Sequence, residues 1–204
     1  MKRVLLATSN PGKIRDFIGA ARTRQIQIVT LPHFDTLPPV IENGTTFTAN
    51  ARKKARAYSR FAPHELVIAD DSGLEVDALG GAPGVHSARY AQARPSASMT
   101  NTDDQANNAK LIDQIRQIAE ERRTARFRCV IAAARDGVIL GIFEGAADGM
   151  ILDTPRGREG FGYDPLFYFP VLKKTFAELR ADEKAQYSHR GQAFRKFLDW
   201  YEQV

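Results

Sequence analysis

The chain has 204 residues, 43% of them hydrophobic and 26% charged, a balance ordinary for a soluble globular protein and too apolar for extended disorder. A single cysteine, Cys129, excludes an internal disulfide and any cysteine-rich metal site; no stretch approaches a membrane span, so the expected setting is the reducing cytoplasm, with no membrane partner. Twenty-nine Lys and Arg against 24 Asp and Glu give a net charge of +5, which favours anionic partners, but the excess is spread along the chain, densest at Arg52-Lys53-Lys54 and Glu121-Arg122-Arg123, and is too dilute for a nucleic-acid footprint.

Val4 to Ala7 reads as a first strand, followed by Thr8-Ser9-Asn10-Pro11-Gly12-Lys13 and a helix from Ile14 to Arg22. A polar, glycine-containing loop at a helix start offers free backbone N–H groups and the positive end of the helix dipole to an anion. Lys13 adds a full positive charge where the dipole disfavours it, which hints at a ligand, although the G-x-x-x-x-G-K-[ST] spacing of a P-loop is lacking. Ile26 to Thr30 is a second strand and Pro32 to Val40 a surface loop. Thr45 is the expected N-cap of a helix running through Tyr58 to Arg60, with Ala51, Ala55 and Tyr58 at helical spacing. Glu42 is either a loop carboxylate or a metal ligand arriving from another element, and Lys54 either faces a site or is solvated.

Leu66-Val67-Ile68-Ala69 is an apolar run with β-branched residues, read as a buried strand that ends in Asp70-Asp71-Ser72-Gly73. Successive strand side chains point to opposite faces, so the two carboxylates divide between two tasks unless the strand has already turned. One can hold a metal. Hard oxygen ligands suit magnesium, which takes one or two protein carboxylates and completes its shell with water and substrate phosphate. The other reading is a strand-to-turn junction, with Asp and Gly serving turn geometry.

Leu79 to Tyr90 contains three glycines and a proline and marks a fixed backbone path; within it His86 reads as structural, and Arg89 holds phosphate or pairs with a local acid. Thr102-Asp103-Asp104 opens an amphipathic helix with Leu111, Ile112, Ile115, Ile118 and Ala119 on its apolar stripe. Arg126 to Arg135 and Val138 to Phe143, joined by Asp136-Gly137, form a hairpin, and a further strand is expected over Ala147 to Leu152. Glycines alternate with aromatics in Gly157 to Phe167, either to let a ring stack on a flat base or to plug the core with Phe161 and Tyr163. Ser188 is the expected cap of a last helix carrying Phe194, Phe197, Leu198 and Tyr201 on one face, so that His189 and Arg190 fall in its first turn. Strands alternating with helices, plus one long hairpin, indicate an α/β protein with a mixed sheet.

In order along the chain, Thr8-Ser9-Asn10-Pro11-Gly12-Lys13, Glu42-Asn43-Gly44, Asn50-Ala51, Lys54-Ala55, Ala69-Asp70-Asp71-Ser72-Gly73-Leu74, Gly81-Ala82-Pro83-Gly84 with Ser87-Ala88-Arg89-Tyr90, Gly160-Phe161-Gly162-Tyr163-Asp164-Pro165 and Ser188-His189-Arg190-Gly191 resemble the motifs of the inosine triphosphate pyrophosphatase family. Two positions depart: Asp16 stands where the family commonly has Glu, and Ala49 where a Glu often precedes the Asn-Ala pair. The resemblance implies one domain over residues 1–204, two lobes around a curved mixed sheet with a nucleotide cleft between them, and a homodimer. It also implies magnesium-dependent hydrolysis of non-standard purine nucleoside triphosphates (ITP, dITP, XTP) to the monophosphate and pyrophosphate.

In that scheme Glu42 and Asp71 hold Mg2+, Asp71 also activates water, and Asp70 and Arg89 support. Thr8, Ser9, Asn10, Pro11, Gly12, Lys13, Lys54 and Ser72 hold the triphosphate, Phe161 with Gly162 and Tyr163 receives the base, and Asp164, Lys184, His189 and Arg190 surround its edge. Two rivals remain at this stage: a related pyrophosphatase of modified pyrimidine triphosphates, dUTP or dTTP, and a nucleotide- or RNA-binding module without turnover.

Overall fold

A computed structural model describes residues 2–21, 24, 26–92 and 103–203. The helix end expected at Arg22 and the helix opening expected at Thr102 lie outside them. Strand β1 (Lys2–Leu6) leads into helix α1 (Pro11–Ala21), which begins three residues earlier than its apolar periodicity suggests. Pro11 is pre-organised for the first helical position, and the Asn10 side chain accepts the Lys13 N–H at 3.0 Å as its N-cap. Strand β2 (Ile26–Thr30) follows, and after a loop comes α2 (Phe47–Tyr58), capped by Thr46, whose hydroxyl accepts the Ala49 N–H, rather than by Thr45.

Strand β3 (Val67–Val76) does not end at its paired carboxylates; it carries them in mid-strand, because Gly73-Leu74-Glu75-Val76 continues the ladder. Helix α3 (Asp104–Ile115) is capped by Asp103 and stops before Ile118 and Ala119. Strands β4 (Thr124–Arg135) and β5 (Val138–Ile151) meet at Asp136-Gly137, both with positive φ. The separate strand expected over Ala147 to Leu152 is the second half of β5, which runs on without a break. Short strands β6 (Phe167–Phe169) and β7 (Lys174–Thr175), a short helix α4 of about two turns (Ala181–Tyr187) and the long α5 (His189–Gln203) complete the chain.

Among the described residues the seven strands form one mixed sheet in the order β2-β1-β3-β4-β5-β6-β7, with β1 parallel to β2 and β3, and β6 antiparallel to β5 and β7. The chain divides into two compact units. The first comprises Met1–Ser72, Arg128–Ala146 and Ala181–Val204; the second comprises Gly73–Phe127 and Ala147–Arg180. The core of the first packs Val4, Leu6 and Ile68 of the parallel strands and Ile131 of β4 against Phe17 of α1 and Phe194 and Phe197 of α5. Phe17 and Phe194 meet edge to face at 5.1 Å. The second unit closes on Phe127, Phe167 and Phe176, with ring centroids 4.7 to 5.6 Å apart. No described helix is long and apolar enough to cross a membrane.

Candidate active site

Continuing the β3 strand through Asp70 and Asp71 gives each carboxylate its own face, and the two find different partners. Asp70, 2% exposed, receives the Lys13 ammonium at 3.0 to 3.1 Å, the Ser72 hydroxyl at 3.2 Å and the Arg190 guanidinium at 3.4 Å. Arg190, in the first turn of α5, also donates to Ser72 Oγ and to Asp16 Oδ2, both at 2.8 Å, and Lys184 of α4 lies 3.7 Å from the other Asp16 oxygen. Lys13, the basic residue whose place at a helix start hints at a ligand, is therefore already compensated by Asp70, and Arg190 in the first turn of α5 by Asp16 and Asp70. Ser188 caps α5 as expected, accepting the Gly191 N–H at 3.1 Å.

Asp71 belongs to a second cluster. Its Oδ2 accepts the Asn50 amide at 3.0 Å, and its Oδ1 lies 3.6 Å from the Lys54 ammonium, which in turn contacts Glu42 Oε2 at 2.5 Å. Glu42 thus arrives from the loop before α2, as one of its two readings required, and Lys54 faces the site rather than solvent. Asn50, wholly buried on α2, accepts the Gly44 N–H at 2.8 Å with its other end. Sequence reasoning passed over Asn50 and Asp16 as site residues. The available signal was position: Asn50 and Lys54 are polar side chains one turn apart on the stripe of α2 that buries Phe47, Ala51, Ala55 and Tyr58.

The electrostatics separate the two neighbours. Burial alone would raise the Asp70 carboxyl, but Lys13, Arg190 and Lys54 outweigh it and hold the group well below the usual carboxylate range. At Asp71 burial prevails over the attraction of Lys54 and Lys13, Glu42 adds like charge, and the carboxyl is pushed up. Burial opposes charge on Lys54 and Arg190, yet their acidic neighbours keep both firmly protonated. His189, 4% exposed, is driven towards the neutral form by burial and then by Arg190 and Lys184. Cys129 is the buried small hydrophobe expected, its Sγ 3.9 Å from Asp70, and burial pushes its thiol up.

Whether magnesium fits can be judged from Lys54. Its ammonium contacts carboxylates from two separate elements, so Glu42 and Asp71 already converge on one positive charge. Among the described residues no group of three His, Cys, Asp or Glu side chains is placed to ligate a metal. Two converging carboxylates suit a hard cation that keeps most of its shell for water and phosphate.

In the second unit the Gly160-to-Asp164 loop is held from four sides. Asp164 accepts the Phe161 N–H at 2.9 Å, Asp104 of α3 accepts the Gly162 N–H at 2.7 Å, and Asn108 of α3 donates to the Gly162 carbonyl at 3.1 Å. The Tyr163 hydroxyl donates to the Ser87 carbonyl at 2.8 Å. Gly160 is required here: φ is +82°, and a Cβ would stand 2.1 Å from Asp164 Oδ2. Of the aromatic pair, Tyr163 is buried as the plug reading expects, whereas Phe161 remains partly exposed. Arg89 lies in this unit, half-buried at the end of the 3-10 turn Gly84–Arg89.

The fold and site define an α/β protein in which two adjacent buried carboxylates of one strand lie beside ammonium and guanidinium groups. The chain belongs to the Ham1 family, whose model matches residues 4–200. It is 46% identical over 204 residues to the dITP/XTP pyrophosphatase of Geobacillus kaustophilus, covering 100% of this chain and 96% of that one. It is 43% identical to the enzyme of the same name from Bacillus subtilis, over 96% and 95% of the two chains. Among solved structures, the HAM1 protein of Coxiella burnetii superimposes with a TM-score of 0.82 at 35% identity, over the full length of both chains. The Staphylococcus aureus Ham1 protein gives 0.81 at 38%, covering 98% of each chain.

Proposed function

We propose that this chain hydrolyses the non-standard purine nucleoside triphosphates dITP, XTP and ITP to the monophosphate and pyrophosphate, with magnesium, as one domain over residues 1–204, and that it works as a homodimer in the cytoplasm. The observation that carries the reading is the Glu42–Lys54–Asp71 bridge, set one residue along β3 from the Lys13–Asp70–Arg190 cluster. Glu42 and Asp71 would hold the metal, which when bound draws charge from phosphoryl oxygens. Asp71, raised by burial and by Glu42, is the carboxylate able to take a proton from attacking water. Asp70, held ionised, keeps Lys13 and Arg190 in place.

Lys13, Lys54 and Ser72, with the Thr8, Ser9, Asn10, Pro11 and Gly12 segment, are assigned to the triphosphate, where fixed positive charge meets developing negative charge. The base falls to Phe161, the ring left partly exposed, with Gly162, Tyr163 and Asp164 holding its loop and Arg89 supporting. Lys184, His189 and Arg190 are assigned to the base edge, where donors suited to a 6-oxo group meet a 6-amino group poorly.

The test is pyrophosphate release from ITP, XTP, dITP, GTP, ATP and dUTP, each with and without magnesium. Fast magnesium-dependent release confined to the inosine and xanthosine nucleotides is expected, and Asp71→Asn should lower kcat at saturating magnesium by at least about a hundredfold. Turnover of dUTP instead, or near-native turnover by Asp71→Asn, would sink the assignment.

A further inference from the structure

The Asn50 amide hydrogen-bonds one of the two carboxylates assigned to the metal and the loop that carries the other. It is wholly buried, and both of its polar ends are used: Oδ1 takes the Gly44 N–H at 2.8 Å and Nδ2 gives a hydrogen to Asp71 Oδ2 at 3.0 Å. Gly44 is two residues from Glu42, so one side chain on α2 joins the loop that carries Glu42 to the strand that carries Asp71. The approach is close. A Cβ at Gly44 would stand 2.6 Å from Asn50 Oδ1 and 2.9 Å from the Ala49 Cβ, so the loop reaches the amide only because residue 44 has no side chain. Lys54, one turn further along α2, contacts Glu42 and Asp71 themselves; Lys54 supplies charge, and Asn50 supplies orientation.

We propose that Asn50 is a positioning residue for the metal-holding pair, setting the rotation of the Asp71 carboxylate and the distance of the Glu42 loop from it through its two hydrogen bonds. The geometry has a chemical consequence. The bond from Asn50 to Asp71 Oδ2 turns Oδ1 towards Lys54, the ammonium that also contacts Glu42. Partners that orient a ligand in this way typically change metal affinity or activity by about ten- to a hundredfold when removed.

The inference rests on Glu42 and Asp71 being the metal pair, and its test separates the two claims. Mn2+ serves as the probe, titrated into substrate-free protein and followed by electron paramagnetic resonance of the free ion. Three variants are compared with the native chain: Asn50→Leu, which keeps the approximate volume and removes both hydrogen bonds; Gly44→Ala, which pushes the loop off the amide from the other side; and Asp71→Asn. Thermal melts establish that each is folded.

Asn50→Leu and Gly44→Ala are each expected to weaken Mn2+ at least tenfold. The magnesium concentration for half-maximal ITP turnover should rise in parallel, while KM for ITP at saturating magnesium changes less than about threefold. Because both act through the same tie, the double variant should be little worse than the more impaired single one. If Asn50→Leu fails to fold, Gly44→Ala carries the same expectation alone. Native-like Mn2+ affinity in Asn50→Leu and Gly44→Ala, alongside loss of binding in Asp71→Asn, overturns the positioning role and leaves the metal pair standing. Native-like binding in all three overturns the metal pair itself.

Discussion

Replacing Asp70 by Asn keeps the shape of the side chain and removes the charge on which the first cluster converges. The carboxylate is 1% exposed at its side chain, Arg190 3% and Lys13 17%, so two of the three charges are out of water. Removing one partner of a buried pair costs about 3 to 5 kcal/mol, chiefly because the other charge is stranded. Two features pull the value down here. Lys13 is exposed enough to recover some hydration, and Arg190 keeps its 2.8 Å bond to Asp16. The expected loss is therefore about 3 kcal/mol, the lower end of that range. For a chain of this size that corresponds to a fall in melting temperature of about 6 to 12 °C. Urea titration followed by circular dichroism at neutral pH measures it directly, with an unchanged m-value showing that the unfolded state is unaffected. Arg190→Met in the Asp70→Asn background should cost less than the sum of the two single changes, since both charges leave together. A loss below about 1 kcal/mol would refute the reasoning, because it would place the cluster among solvated surface pairs.

Two other expectations follow from the same contacts. Asp104→Ala or Asn108→Ala removes one of the two α3 hydrogen bonds to the Gly162 peptide; at about 1 kcal/mol for each bond, KM for ITP should rise about fivefold and the preference for ITP over GTP should narrow, and steady-state kinetics with both values unchanged would exclude α3 as the support of the base loop. The Cys129 thiol, buried and pushed up in pKa first by burial and then by Asp70, should resist an aromatic disulfide reagent at mildly alkaline pH until urea unfolds the chain, so prompt reaction of the native protein would contradict its placement.

The parts of the fold that periodicity controls are legible in the residues themselves. Ile26–Thr30 is the strand expected and Asp136-Gly137 makes the turn, while the helix expected through Tyr58 to Arg60 stops at Tyr58 and passes into a 3-10 turn over Ser59–Phe61. What failed was local punctuation. Asp, Ser and Gly together signal a turn, yet β3 passes through Asp70-Asp71-Ser72-Gly73 because Lys13, Arg190, Asn50 and Lys54 satisfy the polar side chains laterally, so the backbone has no need to turn away. The same gap explains the site. Residue types pointed to Glu42, Lys54 and Asp71, but no pattern in one chain reveals that Asp16 collects Arg190 from 174 positions away, or that an α2 amide spans a loop and a strand.

The pairing of two acids on adjacent positions of one strand also explains why their roles are not interchangeable. The pleat turns them to opposite faces, and the elements on those faces differ in charge: Lys13 and Arg190 with a hydroxyl on one side, a single ammonium shared with Glu42 and a neutral amide on the other. Burial raises both carboxylates, but at Asp70 Lys13 and Arg190 outweigh it, whereas at Asp71 burial prevails and Glu42 adds like charge. Two identical functional groups one residue apart are thereby pushed in opposite directions, the condition under which one can take part in proton transfer while the other stays a fixed charge. A proton on Asp70 would leave Lys13 without its carboxylate and Arg190 with Asp16 alone, so Asp70 cannot give up its charge freely. Nor can Asp71 replace Asp70 as an anchor, since the only described cation within salt-bridge distance of it, Lys54, is shared with Glu42.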